Sequence, residues 1–120
     1  MAILLRLSDL RHKHKRIFFS RPELNQLLGL YSRQVARGEW RDYAIDQRDG
    51  AALFSVFRRS HESPLYTIVK TAPGSGRHGD FALMAGRHRL ASGGTVGEVL
   101  SVLLRKLGPM TVLLDGEGAY

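Results

Sequence analysis

Asp42-Tyr43-Ala44-Ile45-Asp46-Gln47-Arg48-Asp49-Gly50-Ala51-Ala52-Leu53-Phe54-Ser55-Val56-Phe57 is the stretch on which the fold turns. Asp-Gly is a favoured two-residue hairpin turn, because both central positions need positive φ and these residue types accept it. Pairing outward from Asp49-Gly50 sets Arg48 against Ala51, Ile45 against Phe54 and Tyr43 against Val56. The last two pairs are apolar and share one face. The other face receives Asp42, Ala44, Asp46, Leu53, Ser55 and Phe57. A slip of one residue would send each side chain to the wrong face, so turn and pattern specify the same register.

Downstream, Ser60-His61-Glu62-Ser63-Pro64 makes a second turn into a third strand, Leu65 to Lys70. Its expected register brings Ile68 beside Val56 and Tyr66 beside Arg58. A glycine-rich loop, residues 72–79, leads to a fourth strand at Phe81-Ala82-Leu83-Met84-Ala85, with a short continuation at Arg89-Leu90-Ala91. Upstream, Ser20-Arg21-Pro22-Glu23 is a helix start: Ser20 caps the free amides, Glu23 closes the box and proline is tolerated in the first turn. Leu24, Leu27, Leu28, Tyr31 and Val35 then fall on one face of a helix over residues 21–37, and Gly38 ends it. Thr95-Val96-Gly97-Glu98 opens a second helix with the stripe Val96, Val99, Leu100, Leu103 and Leu107, which Gly108-Pro109 ends. Met110 to Leu114 reads as a last strand.

The expected fold is α+β: helix, antiparallel meander of roughly three to five strands, helix, with both helices on one face of the sheet. The opposite face stays open, with Leu53, Phe57, Leu65 and Val69 on it. Residues 1–16 form a basic N-terminal arm, residues 17–114 a single domain and residues 115–120 a frayed tail.

A chain of 120 residues is large enough for one core. It has no cysteine, which removes disulfides, thiolate metal sites and cysteine nucleophiles and fits a reducing compartment. The apolar start at Ala2-Ile3-Leu4-Leu5 precedes its charges, the wrong order for a secretory signal, and no stretch is long and apolar enough to span a bilayer. A cytoplasmic protein is expected. The formal charge is +7, but residues 1–21 hold a net +5 while the rest is nearly neutral. Arg11, Lys13, Lys15 and Arg16, with His12 and His14 between them, can pair with phosphates and release counterions. The same block also reads as a solvated leader that aids solubility.

Nothing points to catalysis or to a cofactor. The serines lie in turns and tails without a strand-to-helix elbow, and the glycine-rich loop lacks the Lys-Ser/Thr pair of a nucleotide-binding loop. The histidines lack metal-ligand spacing, and Asp42 and Asp46 sit beside Arg41 and Arg48 as a solvated ion-pair pattern. No catalytic residue, metal ligand or small-molecule substrate is assigned. Three features could bind a partner: Trp40, Arg59 and the patch around Phe57. Trp40 could stack on a base or anchor a protein, or else seal the junction between helix and sheet. Arg58 could cover Tyr66. Arg59 is free to meet a phosphate or carboxylate. Phe57, with Leu53 and Val69, forms an apolar patch on the open face.

Gly38-Glu39-Trp40-Arg41-Asp42-Tyr43-Ala44-Ile45-Asp46, with Phe54-Ser55-Val56-Phe57-Arg58-Arg59 and Pro64-Leu65-Tyr66, resembles an uncharacterised family of small bacterial proteins known only as a domain of unknown function. The likeness spans roughly residues 17–107. It implies a bacterial cytosolic protein and carries no activity or functional residues. The helix–sheet–helix order is also similar to double-stranded-RNA-binding domains and signal-recognition-particle Alu proteins, but this chain lacks their basic helix ends. The residues therefore favour a non-enzymatic protein-interaction or adaptor domain, taking a protein partner or a second copy on the open sheet face. The alternative is an RNA- or polyanion-binding module that uses the arm.

Overall fold

The computed structural model describes residues 16–75 and 78–107. The order is helix α1 (Arg21–Ala36), strands β1 (Asp42–Arg48), β2 (Ala51–Phe57), β3 (Tyr66–Lys70), β4 (Phe81–Ala85) and β5 (His88–Gly93), then helix α2 (Val96–Leu107). The strands form one five-stranded sheet in sequential order, each pair antiparallel. The fold is the α+β arrangement read from the sequence. Arg11, Lys13 and Lys15, the expected strand at Met110 to Leu114 and the tail at 115–120 lie outside the described residues; Arg16 is exposed at their margin.

The hairpin forms in the expected register. Asp49 and Gly50 take φ of 53° and 76°, and Tyr43, Ile45 and Arg48 face Val56, Phe54 and Ala51. The third strand departs from expectation. Tyr66 faces Val56 and Ile68 faces Phe54, two residues away from the register read from sequence. A two-residue slip leaves each side chain on its own face, so alternation cannot choose between the two pairings. The connection after Phe57 settles it: the Leu65 amide still reaches the Val56 carbonyl at 2.8 Å. Tyr66 therefore lies across from Val56 rather than Arg58, and Leu65, expected on the open face, packs against the core.

One sheet face carries Ala52, Phe54, Val56, Ile68, Phe81 and Leu83, and these join Leu27 and Leu30 of α1 and Val96, Val99, Leu100 and Leu103 of α2 in one core cluster. Both helices thus cover this face. The register shift between Leu83 and Met84 sets Leu83 against Ala91 and Met84 against Arg89, a bulge at Leu90 that lets Leu90 and Ala91 both contact the core. The α1 face is turned from the expected one. Leu27, Leu30 and Gln34 are buried, whereas Val35 is exposed. The reason is that α1 has two neighbours: Leu30 and Gly29 border α2 through Gly97, Leu100 and Leu104, so the buried sector swings toward the second helix. Gln34 is only 1% exposed and its Nε2 has no hydrogen-bond partner.

Both helix starts form. In α1 the Glu23 amide donates to Ser20 Oγ at 3.3 Å and the Ser20 amide donates to Glu23 Oε1 at 2.7 Å. At α2 the Glu98 amide donates to Thr95 Oγ1 at 3.3 Å, but the Glu98 carboxylate reaches past Thr95 to the Gly94 amide at 3.2 Å. The stretch before α1 is a strap across the end of the sheet. Ile17 and Phe19 are buried in the core, Gln47 Nε2 donates to the Ile17 carbonyl at 2.9 Å, and Lys70 Nζ donates to the Phe18 carbonyl at 2.8 Å. Lys70 also pairs with Glu23 Oε1 at 2.8 Å and sits 5.8 Å from the centre of the Phe81 ring. Burial disfavours the Glu23 charge, but hydrogen bonds from Lys70 and Ser20 and the Lys70 charge outweigh it, holding the carboxyl below its ordinary value.

The uncovered sheet face as a candidate site

Period-two alternation sends half of each strand to the face away from the helices. Across this face the register builds two rows: Asp46, Leu53, Val69, Ala82 and Ser92, then Ala44, Ser55, Thr67, Met84 and Arg89. Phe57 sits opposite Asp42 at the end of the hairpin. Leu53, Phe57, Val69, Ala82 and Met84 are half-buried, and none of them packs against the core cluster. Among the described residues no helix or loop covers them.

The two polar side chains in the middle of the patch satisfy each other. Ser55 Oγ and Thr67 Oγ1 are 3.0 Å apart, a cross-strand pair that removes two hydroxyls from contention and leaves the centre apolar in effect. Beside β4 the surface dips into a hollow of about 280 Å³. Its floor is Val69, Ala82, Met84 and Ser92, with Arg89 and His78 at the rim. The margins are charged: Asp42 and Asp46 lie along β1, Arg89 along β5. Arg59 is exposed in the turn two residues past Phe57 and makes no ion pair among the described residues. The uncovered face thus combines an apolar centre with charged margins.

The sequence-assigned residues separate into three groups. Leu53, Phe57 and Val69 share the uncovered face, and Arg59 stands at its end. Trp40 does not belong with them. It is 3% exposed and lies 6.4 Å from the Tyr31 ring, which in turn meets Tyr43, and Tyr43 stacks on Phe54. This aromatic series seals α1 to the hairpin, so the sealing reading of Trp40 is the one realised and no ring face is left for a partner. Burial first, then the Asp42 carboxylate, push the Tyr31 hydroxyl above its ordinary value. Of the basic block only Arg16 falls within the described residues.

Three contributors were missed from sequence. Ala82 and Met84 are on the face because β4 lies between β3 and β5, a neighbour relation that no local pattern states. Arg89 joins them only through the bulge at Leu90. The glycine-rich loop is tied down at its base. The Thr71 amide donates to the Asp80 carbonyl at 2.8 Å, and the Gly74 amide donates to Asp80 Oδ1 at 2.9 Å. A carboxylate of the chain itself thus takes the Gly74 amide that an anion would otherwise use. Among the described residues no three of His, Asp and Glu are grouped so that they could hold a metal ion. No helix among them is long and apolar enough to cross a membrane.

A family model described as a protein of unknown function (DUF2794) matches residues 17–98. That span runs from the Ile17 strap to the first turn of α2 and contains the entire sheet. No curated protein and no solved structure matches the chain.

Proposed function

We propose, for a chain that belongs to the DUF2794 family of proteins of unknown function, a non-enzymatic role: a protein-interaction domain whose uncovered sheet face docks a partner protein. The observation that carries this reading is the group Leu53, Phe57, Val69 and Met84, apolar and half-buried on the face away from both helices. Apolar area left on a folded surface loses the gain of roughly 25 cal/mol per Å² that its burial would bring. The partner that fits is a protein presenting an apolar anchor for the hollow beside Met84. It carries acidic groups toward Arg59 and Arg89 and basic groups toward Asp42 and Asp46.

Photo-crosslinking from position 57 in the cells that make the protein identifies such a partner, and binding is then measured with both proteins purified. Phe57→Ser is expected to weaken the reconstituted complex at least about tenfold while the domain stays folded. Unchanged affinity in Phe57→Ser would overturn the reading.

The second reading rests on the charge of residues 1–21, net +5 in a chain of +7. A polyanion-binding arm predicts that affinity for generic RNA falls steeply with salt and disappears in a chain that starts at Ile17. Retention of RNA binding in the shortened chain would count against it.

A further inference from the structure

The outer edge of β1 carries a second surface. Among the described residues Phe18, Val35, Tyr43 and Ile45 are the exposed large hydrophobics, and all but Val35 lie on or beside β1 on its helix-side face. Ile45, in the middle of the strand, is 48% exposed; Phe18, in the strap held by Gln47, is 63% exposed. Sheet edges are commonly blunted with proline, bulges or charge to prevent pairing. The β5 edge has such devices, with a bulge at Leu90 and the cation Arg89. β1 runs seven residues from Asp42 to Arg48 with no proline and pairs without a register shift, and its charges, Asp42, Asp46 and Arg48, are of both signs.

The hydrogen-bond alternation of β1 follows from its turn. In a two-residue hairpin Arg48 and Ala51 exchange both backbone bonds, so Asp42, Ala44, Asp46 and Arg48 point their amides and carbonyls at β2. The phase ends at the start of the strand: the Arg41 amide, which alternation would turn outward, donates to the Phe57 carbonyl at 2.9 Å beside the Asp42–Phe57 pair. Tyr43, Ile45 and Gln47 therefore turn theirs outward, to an edge that no strand pairs among the described residues. The Tyr43 amide is held by the adjacent Asp42 Oδ1 at 2.8 Å, a local substitute for a strand partner.

We propose that this edge is the seam of a homodimer, in which two copies pair antiparallel through β1 about a two-fold axis at Ile45. In that register Ile45 meets Ile45 of the second copy, and Tyr43 meets Gln47. The outward groups of these residues form about six backbone hydrogen bonds. On the other face Asp42 stands opposite Arg48 of the second copy, twice by symmetry, and its carboxylate leaves the Tyr43 amide for that guanidinium. Shifting either way by one permitted step gives worse pairs: Asp46 against its own copy, or Asp42 against Asp46. The strap brings Phe18, beside Gln47, toward Tyr43 of the second copy. The sheet becomes continuous through the seam, and the two uncovered faces lie side by side on one surface. The seam shares Asp42 and Asp46 with the margin of the docking face, but its backbone pairing and Ile45 lie apart from Leu53, Phe57 and Val69.

The test is a charge exchange, read by sedimentation of the full chain over a concentration series. The wild-type chain is expected to dimerise, and Asp42→Arg or Arg48→Asp alone to raise the dissociation constant about tenfold by setting like charges opposite each other. The double variant Asp42→Arg/Arg48→Asp restores the pairing and the affinity. The register also brings the two Asp46 carboxylates near the axis, so Asp46→Asn is expected to tighten the dimer. Ile45→Lys is expected to give a folded monomer by circular dichroism, and Phe57→Ser to leave the dimer intact. A wild-type monomer at every concentration, a dimer indifferent to the single reversals, or a double variant no better than the singles overturns the proposal.

Discussion

Replacing Lys70 by methionine removes the cation that joins the strap, the first helix and the sheet. The side chain donates to the Phe18 carbonyl and to Glu23 Oε1, each at 2.8 Å, and is 18% exposed. Hydrogen bonds involving a charged group contribute about 1.5–3 kcal/mol each when well buried, and partial exposure discounts them. Methionine keeps the side chain's length, so the loss is set chiefly by the two polar contacts at about 2 kcal/mol, roughly thirtyfold in the folding equilibrium. The lost cation over the Phe81 ring adds to it. Chemical denaturation of both chains near neutral pH measures it. The same contact predicts a pH dependence. The folded-state pKa of Glu23 is lowered, so the stability its ionisation contributes is present above about 4.5, its ordinary value. That stability is lost as pH falls through the lower folded-state value. The gap between wild type and Lys70→Met should therefore narrow in acid. A variant as stable as wild type near neutral pH, or a gap that does not change in acid, would refute the assignment of Lys70 as the anchor of the strap.

Phe57→Ser is expected to change unfolding stability by less than about 1 kcal/mol, whereas Leu83→Ala, across the sheet in the closed core, loses about 3 kcal/mol; thermal and denaturant unfolding compare them. Gln34→Met should be neutral or stabilising by about 1 kcal/mol, because it removes a buried donor that has no acceptor. Gly79→Ala is expected to destabilise by about 2 kcal/mol or more in the same assays. Gly79 has φ of 115°, and a methyl there would run into the carbonyl of Gly93.

The readable parts of this fold are those set by neighbours in sequence. Asp49-Gly50 fixes the hairpin because turn and alternation act on the same few residues. Ser20 and Glu23 fix the start of α1 for the same reason. The errors come where a choice depends on distant residues. Alternation excludes a one-residue slip of β3 but not a two-residue slip. The helical period gives α1 an apolar sector, but only the position of α2 decides that Leu30 and Gln34 are buried and Val35 is not. Lys70 looked like an ordinary end to a strand, because its acceptors are 47 and 52 residues away. The candidate face was legible through Leu53, Phe57 and Val69. Met84, Ala82 and Arg89 could not be added until β4 and β5 had places in the sheet.

The most direct test of the account is the accessibility of the uncovered face in the full chain. Solvent paramagnetic relaxation of methyl groups in solution reads it without knowledge of the partner. The account predicts strong relaxation at Leu53, Val69 and Met84 and protection at Leu27, Ile68 and Leu83. Protection of Leu53, Val69 and Met84 equal to that of Ile68 and Leu83 would contradict it, showing a face that is covered and has no room for a partner.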